Sequence, residues 1–184
     1  MQHFGTKTFE TSRLICRQFI SEDYEDMLRN WAADPCIQVE YGEPVYDSVY
    51  KVKELLSDYI DNYHSPDYYR WAIIEKSSKA NIGQIAFCKV YSECQTAEIE
   101  YCIGKEFWGK GYAGEALEGL IDFAFRNTDF IKLEAYHRCE NQKSGRVLEK
   151  SKMHITSTVE RFIRENIIPQ GEVCYCITKD TYDL

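Results

Sequence analysis

The chain predicts an α+β domain on a mixed, mostly antiparallel sheet flanked by helices. Two observations carry this. Three strand-like runs, 69–76, 81–92 and 97–104, are joined only by the short polar connections "SSKA" and "ECQT", as in an antiparallel meander. Amphipathic segments lie on both sides of that meander, two before it and two after. With 184 residues, a single domain over 1–184 is expected.

The elements follow in order. "RLICRQF" (13–19) alternates as a first strand. "SEDYEDMLRNWAAD" follows as a helix, with Ser21 as N-cap, acids in its first turn, and Tyr24, Met27, Leu28 and Trp31 at helical spacing. Residues 34–47, ending in "YGEPVYD", read as a loop. "SVYKVKELLSDYIDNY" (48–63) sets Val49, Val52, Leu55, Leu56, Tyr59 and Ile60 on one stripe. After the meander, "GEALEGLIDFAFRN" is a helix with Ala116, Leu117, Leu120, Ile121, Ala124 and Phe125 on its apolar face. "IKLEAYH" (131–137) is a strand, and "NQKSGRVLEKSK" is a short helix capped by Asn141. "MHITSTVERFI" and "GEVCYCITK" are expected as the last two strands.

Composition narrows the classes. Hydrophobic residues at 44% and charged residues at 28% are ordinary for a globular protein. A net charge of -8 lacks the basic excess of a general nucleic-acid binder, so none is expected as partner. The eight Cys form no C-x-x-C, which argues against a zinc ribbon or redox motif, and no metal is expected. Several lie in apolar runs ("AFCKV", "EYCIG", "VCYCIT"), where Cys packs as a small hydrophobe. The segment "MQHFGTKTFE" has no apolar leader pattern and no run is long enough to span a bilayer, so a cytoplasmic protein with reduced thiols and no membrane partner is expected.

"GKGYAG", Gly109–Gly114, matches G-x-G-x-x-G, with Glu134 downstream. A dinucleotide fingerprint opens directly from its strand and belongs to the first unit of an alternating fold. Here Gly104–Trp108 intervene, a meander precedes, and only 50 residues follow Glu134. The match is therefore read as accidental. What remains is an anion site: glycines ahead of a helix, the helix N-terminus, and the charge of Lys110. Just upstream, Glu98 and Glu100 share one strand face, while Ile99, Tyr101 and Ile103 share the other. A carboxylate beside a phosphate cradle suggests a general base near a phosphate-bearing cofactor, although paired Glu on a strand is more commonly a solvated face.

"AEIEYCIGKEFWGKGYAGEAL" followed by "NQKSGRVLEK" resembles the GNAT acyltransferase superfamily, and within it the branch that acetylates protein N-termini, including those of ribosomal proteins. "ETSRLICRQFISEDYEDML" and "VCYCITKDTY" resemble the same branch. The resemblance implies the GNAT fold, with a splayed central pair: the strand of Glu98–Ile103 on one side and the strand ending at His137 on the other. It implies acetyl-CoA as co-substrate, its pantetheine arm on the backbone of Tyr101, Cys102 and Ile103, and its pyrophosphate on Gly109, Lys110, Gly111, Tyr112, Ala113 and Gly114. Trp108 stands where the family consensus has Gln or Arg, which removes a side-chain donor and leaves the backbone cradle. Asn141 matches the Asn placed near the pantetheine, and Ser144 a hydroxyl near the CoA sulfur. Both are also ordinary helix-start residues. Lys152 stands where the branch has Gly, so a reshaped turn is expected. Glu100 stands where it often has Gly, either to hold a cationic acceptor or to face solvent.

The reaction so implied is direct acetyl transfer to an amine. Glu98 is the expected base, with His137 a second choice. Ser144 is the expected acid, and the backbone N–H around Cys102 would polarise the thioester. Cys102 and Cys139 are read as packing residues. The acceptor is a protein N-terminus, or else a small amine such as a polyamine, amino acid or aminoglycoside. A non-catalytic acyl-CoA-binding module is the third reading, and Glu98, Asn141 and Ser144 together argue against it. The acceptor walls are expected from the first two helices, residues 34–47 with Tyr41, Glu43 and Tyr46, and the turn after Phe162. A monomer or homodimer is expected.

Overall fold

The computed structural model describes residues 1–166 and 170–182. Among these residues eight strands form one sheet in the order β1-β2-β3-β4-β5-β6-β8-β7. They are β1 (Phe9–Glu10), β2 (Leu14–Arg17), β3 (Arg70–Glu75), β4 (Asn81–Tyr91), β5 (Thr96–Ile103), β6 (Lys132–Arg138), β7 (His154–Thr156) and β8 (Glu172–Thr178). Every neighbouring pair is antiparallel except β5–β6. The expected meander is β3–β4–β5. The helices are α1 (Tyr24–Met27), α2 (Pro35–Tyr41), α3 (Val49–Asn62), α4 (Tyr112–Asn127), α5 (Gln142–Glu149), α6 (Glu160–Glu165) and α7 (Lys179–Tyr182).

Two cores cover the two faces of the sheet. On one, Ala116, Leu117, Leu120, Ile121 and Phe125 of α4 pack with Leu14, Ile73, Ile85, Ile99, Leu133 and an aromatic cluster around Trp71. Trp71 meets Phe87 edge-on at 5.7 Å, an arrangement aromatic pairs prefer. On the other, Met27, Trp31, Ile37, Val52 and Leu56 pack with Ala72, Ile74 and Cys102. Odd and even positions of β5 therefore serve different cores, as the period-2 reading requires.

Three expectations are corrected. Ser21 does not cap the first helix. The Asp23 carboxylate accepts from Ile20 N–H at 2.8 Å, the chain begins as a tight turn, and α1 then widens over Leu28–Ala32. Asp23 is locked there by two bonds from Arg17, at 2.8 and 2.9 Å. Residues 34–47 are not all loop, because α2 fills their first half. Asp34 Oδ1 caps Cys36 N–H at 2.8 Å, Pro35 opens the helix, and Gly42 ends it at φ 85°. The strand expected over 153–163 stops at Thr156, and α6 follows. Val159 and Phe162 bury one side of that helix, and Glu160–Arg164 and Arg161–Glu165 pair one turn apart. The β-branched "ITSTV" hid that period. Residues 167–169 of the turn after Phe162 lie outside the described residues.

β5 and β6 pair only from Thr96–Lys132 to Glu98–Glu134. Beyond that point β5 keeps β4 as its neighbour and β6 keeps β8, so the sheet forks, as the resemblance implied. Close packing holds the β4 side of the fork. A Cβ on Gly83 would lie 2.2 Å from the backbone oxygen of Cys102, which cannot yield without breaking the pairing. Gly83→Ala is expected to destabilise the chain by about 1–3 kcal/mol, read as a lower Tm in thermal denaturation.

Candidate functional site

The glycine loop is held rigidly from behind. Arg13 donates to Lys110 O at 2.9 Å, pairs with Glu115 at 2.6 Å, and lies 4.5 Å over the Tyr112 ring. The Tyr112 hydroxyl donates to Glu75. Gly109 and Gly111 take φ of 74° and 82°, a region that favours glycine. Among the described residues no side chain caps α4. The first N–H to reach a helical acceptor is that of Glu115, on Gly111 O at 3.0 Å. The start of a sixteen-residue helix is thus left open to an anion, with exposed Lys110 beside it and open space at the Gly114 Cβ position. Ala113 is half-buried in the same first turn.

The β5 edge can be assigned by alternation. Gly104 N–H donates to Ile82 O at 2.9 Å, so the backbone groups of Gly104, Cys102 and Glu100 turn toward β4. Those of Tyr101 and Ile103 turn toward the fork, and Ile103 O accepts from the Trp108 indole at 2.6 Å. The N–H groups available to a carbonyl are therefore those of Tyr101 and Ile103, not that of Cys102. The Cys102 thiol sits in the α1–α3 core, where burial pushes it up to about 12. Cys139 is exposed rather than packed.

On the far wall, Asn141 caps α5, its Oδ1 accepting from Ser144 N–H at 3.1 Å. Ser144 is half-buried, and its backbone oxygen takes the Tyr101 hydroxyl at 3.4 Å, so Tyr101 spans the fork. His137 does not join this group. Its ring packs under Gly145 of α5, and it shares a strand face with Leu133 and Ala135, opposite Glu134. Lys152 needs no left-handed backbone: among the described non-glycine residues only Lys79, Gln95 and Asn166 have positive φ, and Lys152 N–H donates to Glu118 at 2.9 Å.

Glu98 lies at the crotch of the fork, 4% exposed. Burial raises its carboxyl above the usual range. The Cys88 thiol at 3.5 Å, Arg161 at 3.8 Å and Lys89 oppose that rise, while Glu134 adds to it. Arg161 comes from α6, a helix hidden in the sequence behind a strand-like run, and its guanidinium bonds the Tyr136 hydroxyl. The helix is seated on Glu134, whose Oε2 accepts from Glu160 N–H at 2.9 Å. Glu134, which in a dinucleotide site would be the ribose ligand, is thus a buried support, with Lys132 Nζ 2.6 Å from its other oxygen. The spacing of "ERFIRE" was the available signal. Glu100 is half-buried and not free, because Arg70 at 2.8 Å and the Tyr41 hydroxyl at 2.7 Å both bond its Oε1. Tyr46 bonds Glu43 at 3.3 Å in a shallow depression formed by residues 44–46 and α3, one that excludes Glu98.

Residues 13–154 match the acetyltransferase (GNAT) domain family. The chain is 26% identical over 170 residues to YoaA of Bacillus subtilis, an uncharacterised N-acetyltransferase, covering 92% of this chain and 96% of that one. The ribosomal-protein-S5-alanine acetyltransferase of Vibrio fischeri superposes with a TM-score of 0.75 at 16% identity, over 95% and 97% of the two chains. The spermidine N-acetyltransferase of Vibrio cholerae, solved with CoA and spermine, gives 0.74 at 21%, over 95% and 100%. At these identities the two structures share a fold with this chain. Among the described residues no helix is long and apolar enough to cross a membrane.

Proposed function

The chain belongs to the GNAT acetyltransferase family, and on that ground we propose that it uses acetyl-CoA to acetylate the α-amine of a protein or peptide N-terminus. The observation that carries the reading is the buried Glu98 at the end of an unpaired strand edge, on the same fork as an uncapped, glycine-lined helix start. The residues fit the co-substrate. The cradle of Gly109–Gly114 with Lys110 suits a diphosphate, and the Tyr101 and Ile103 edge suits an amide-bearing arm. Acetyl-CoA would supply the acetyl group as a thioester. Glu98 takes the proton of the attacking amine, directly or through a water. Of the two fork-facing groups, the Tyr101 N–H, nearer Glu98 along β5, orients the thioester carbonyl, the Ile103 edge takes the arm, and Ser144 donates a proton to the departing sulfur. An α-amine, with a reference pKa of ~7.7–8.0 against ~10.4 for lysine, asks less of the base.

Charge balance favours a peptide over a polyamine. Each carboxylate on this face of β5 has a guanidinium beside it, Arg161 for Glu98 and Arg70 for Glu100. A polycation needs surplus negative charge, and neither carboxylate on this strand face is without a cation. The test is release of free thiol from acetyl-CoA across peptides with Ser, Ala or Met N-termini, polyamines and free amino acids. Turnover on peptides is the expected result. Turnover on polyamines alone would overturn the acceptor assignment. Replacing Arg161 by Met removes a charge that holds Glu98 down. The acidic limb of the kcat/KM profile should move to higher pH, with activity lost several-fold more at pH 6 than at pH 8.

A further inference from the structure

The fork has two walls, and the phosphate cradle described so far lies on one. Lys143, the second residue of α5, is exposed on the other. Its Nζ sits 3.8 Å from the centre of the Trp108 ring. Trp108 directly precedes the glycine loop and is fixed by its own bond to Ile103 O. Lys110 is held in the same manner, 5.3 Å over Phe107. Among the described residues neither ammonium has a carboxylate within ion-pair distance, whereas Arg13, Lys105 and Lys132 are all paired. An aromatic face holds a cation with only ~0.5–1 kcal/mol at an exposed site and brings no negative charge with it. The two lysines are therefore positioned yet uncommitted, one in the glycine loop and one on α5 over the residue before that loop.

We propose that Lys143, shelved on Trp108, is the second cationic wall of the phosphate site and contacts the CoA diphosphate from the α5 side, opposite Lys110. The inference rests on the acetyl-CoA reading above. It also accounts for Trp108, because the indole sets where the Lys143 ammonium lies, in place of donating a hydrogen bond to the ligand itself.

Isothermal titration of the intact chain with CoA tests this. Lys143→Met is expected to raise the Kd about 10-fold at low salt, the scale of one charge-assisted bond. The difference should shrink as added salt screens the charge, and Lys143→Arg should bind within a few-fold of the parent. Parent-like binding by Lys143→Met at low salt would overturn the proposal. So would a loss that persists in Lys143→Arg and at high salt, which would mean a deformed fork. A parent chain that itself fails to bind CoA would instead overturn the acetyl-CoA reading and the inference with it.

Discussion

Glu98→Gln should lower kcat by ~10²–10⁴, the range of a lost general base, with the KM for acetyl-CoA unchanged. The side chain lies outside the cradle, so only the chemical step should respond. The same variant should be more stable than the parent at pH 7. Burial raises the native carboxyl above its unfolded value, so between those two values the folded state holds more protons than the unfolded one. Stability therefore falls as pH rises through that window, and ionised Glu98 is a cost of folding at neutrality. The amide carries no such cost. Thermal denaturation should show a higher Tm for Glu98→Gln at pH 7 and no difference near pH 4, below the unfolded value. A large loss of activity with a lowered Tm at pH 7 would mean that the carboxylate is holding α6 in place rather than acting as a base.

Gly114→Asp should separate ligand binding from folding at the other end of the fork. Position 114 is the third residue of α4, and a Cβ there meets nothing within 4 Å. A carboxylate in a first helical turn is favourable, and any residue loses less entropy there than glycine, so Tm should match or exceed that of the parent. The same carboxylate would face the diphosphate across a few ångströms. CoA affinity should fall by at least ~30-fold at low salt and recover in part at high salt. Gly114→Asn has nearly the same shape without the charge and should lose far less. Equal losses in the two variants would show that bulk rather than charge is resisted, and that the phosphates do not sit at this turn.

The legible parts of this chain were those with local signals. Alternation located β3, β4 and β5, and it placed Glu98 and Glu100 on one face. Glycine spacing located the turn that opens α4, and "NQKSGRVLEK" gave α5 with its Asn141 cap. The misread parts depended on distant partners. Whether Glu100 is free or neutralised depends on Arg70, thirty residues away. Which backbone N–H faces the fork depends on the β4 register, fixed by Gly104 on Ile82. That α6 is a helix depends partly on a buried carboxylate in β6. α2 is different, because Asp34, Pro35 and Gly42 announce it locally, and the chain packs two short helices where the apolar spacing alone predicts one helix and a loop.

The three-residue ladder between β5 and β6 has a mechanical consequence. On one side stand β1–β5 and on the other β6, β8 and β7 with α5 and α6, while α4 packs under both. The strands of the two parts share a seam that closes at one end and gapes at the other. The seam is the spine of a book, with Thr96–Glu98 as the binding and the α4 core packed across the back of both covers. A molecule lying in the gape and touching both covers would then hold the book at one angle. Amide hydrogen exchange in β6, α5 and α6 should slow when CoA is added, including at positions that never touch it.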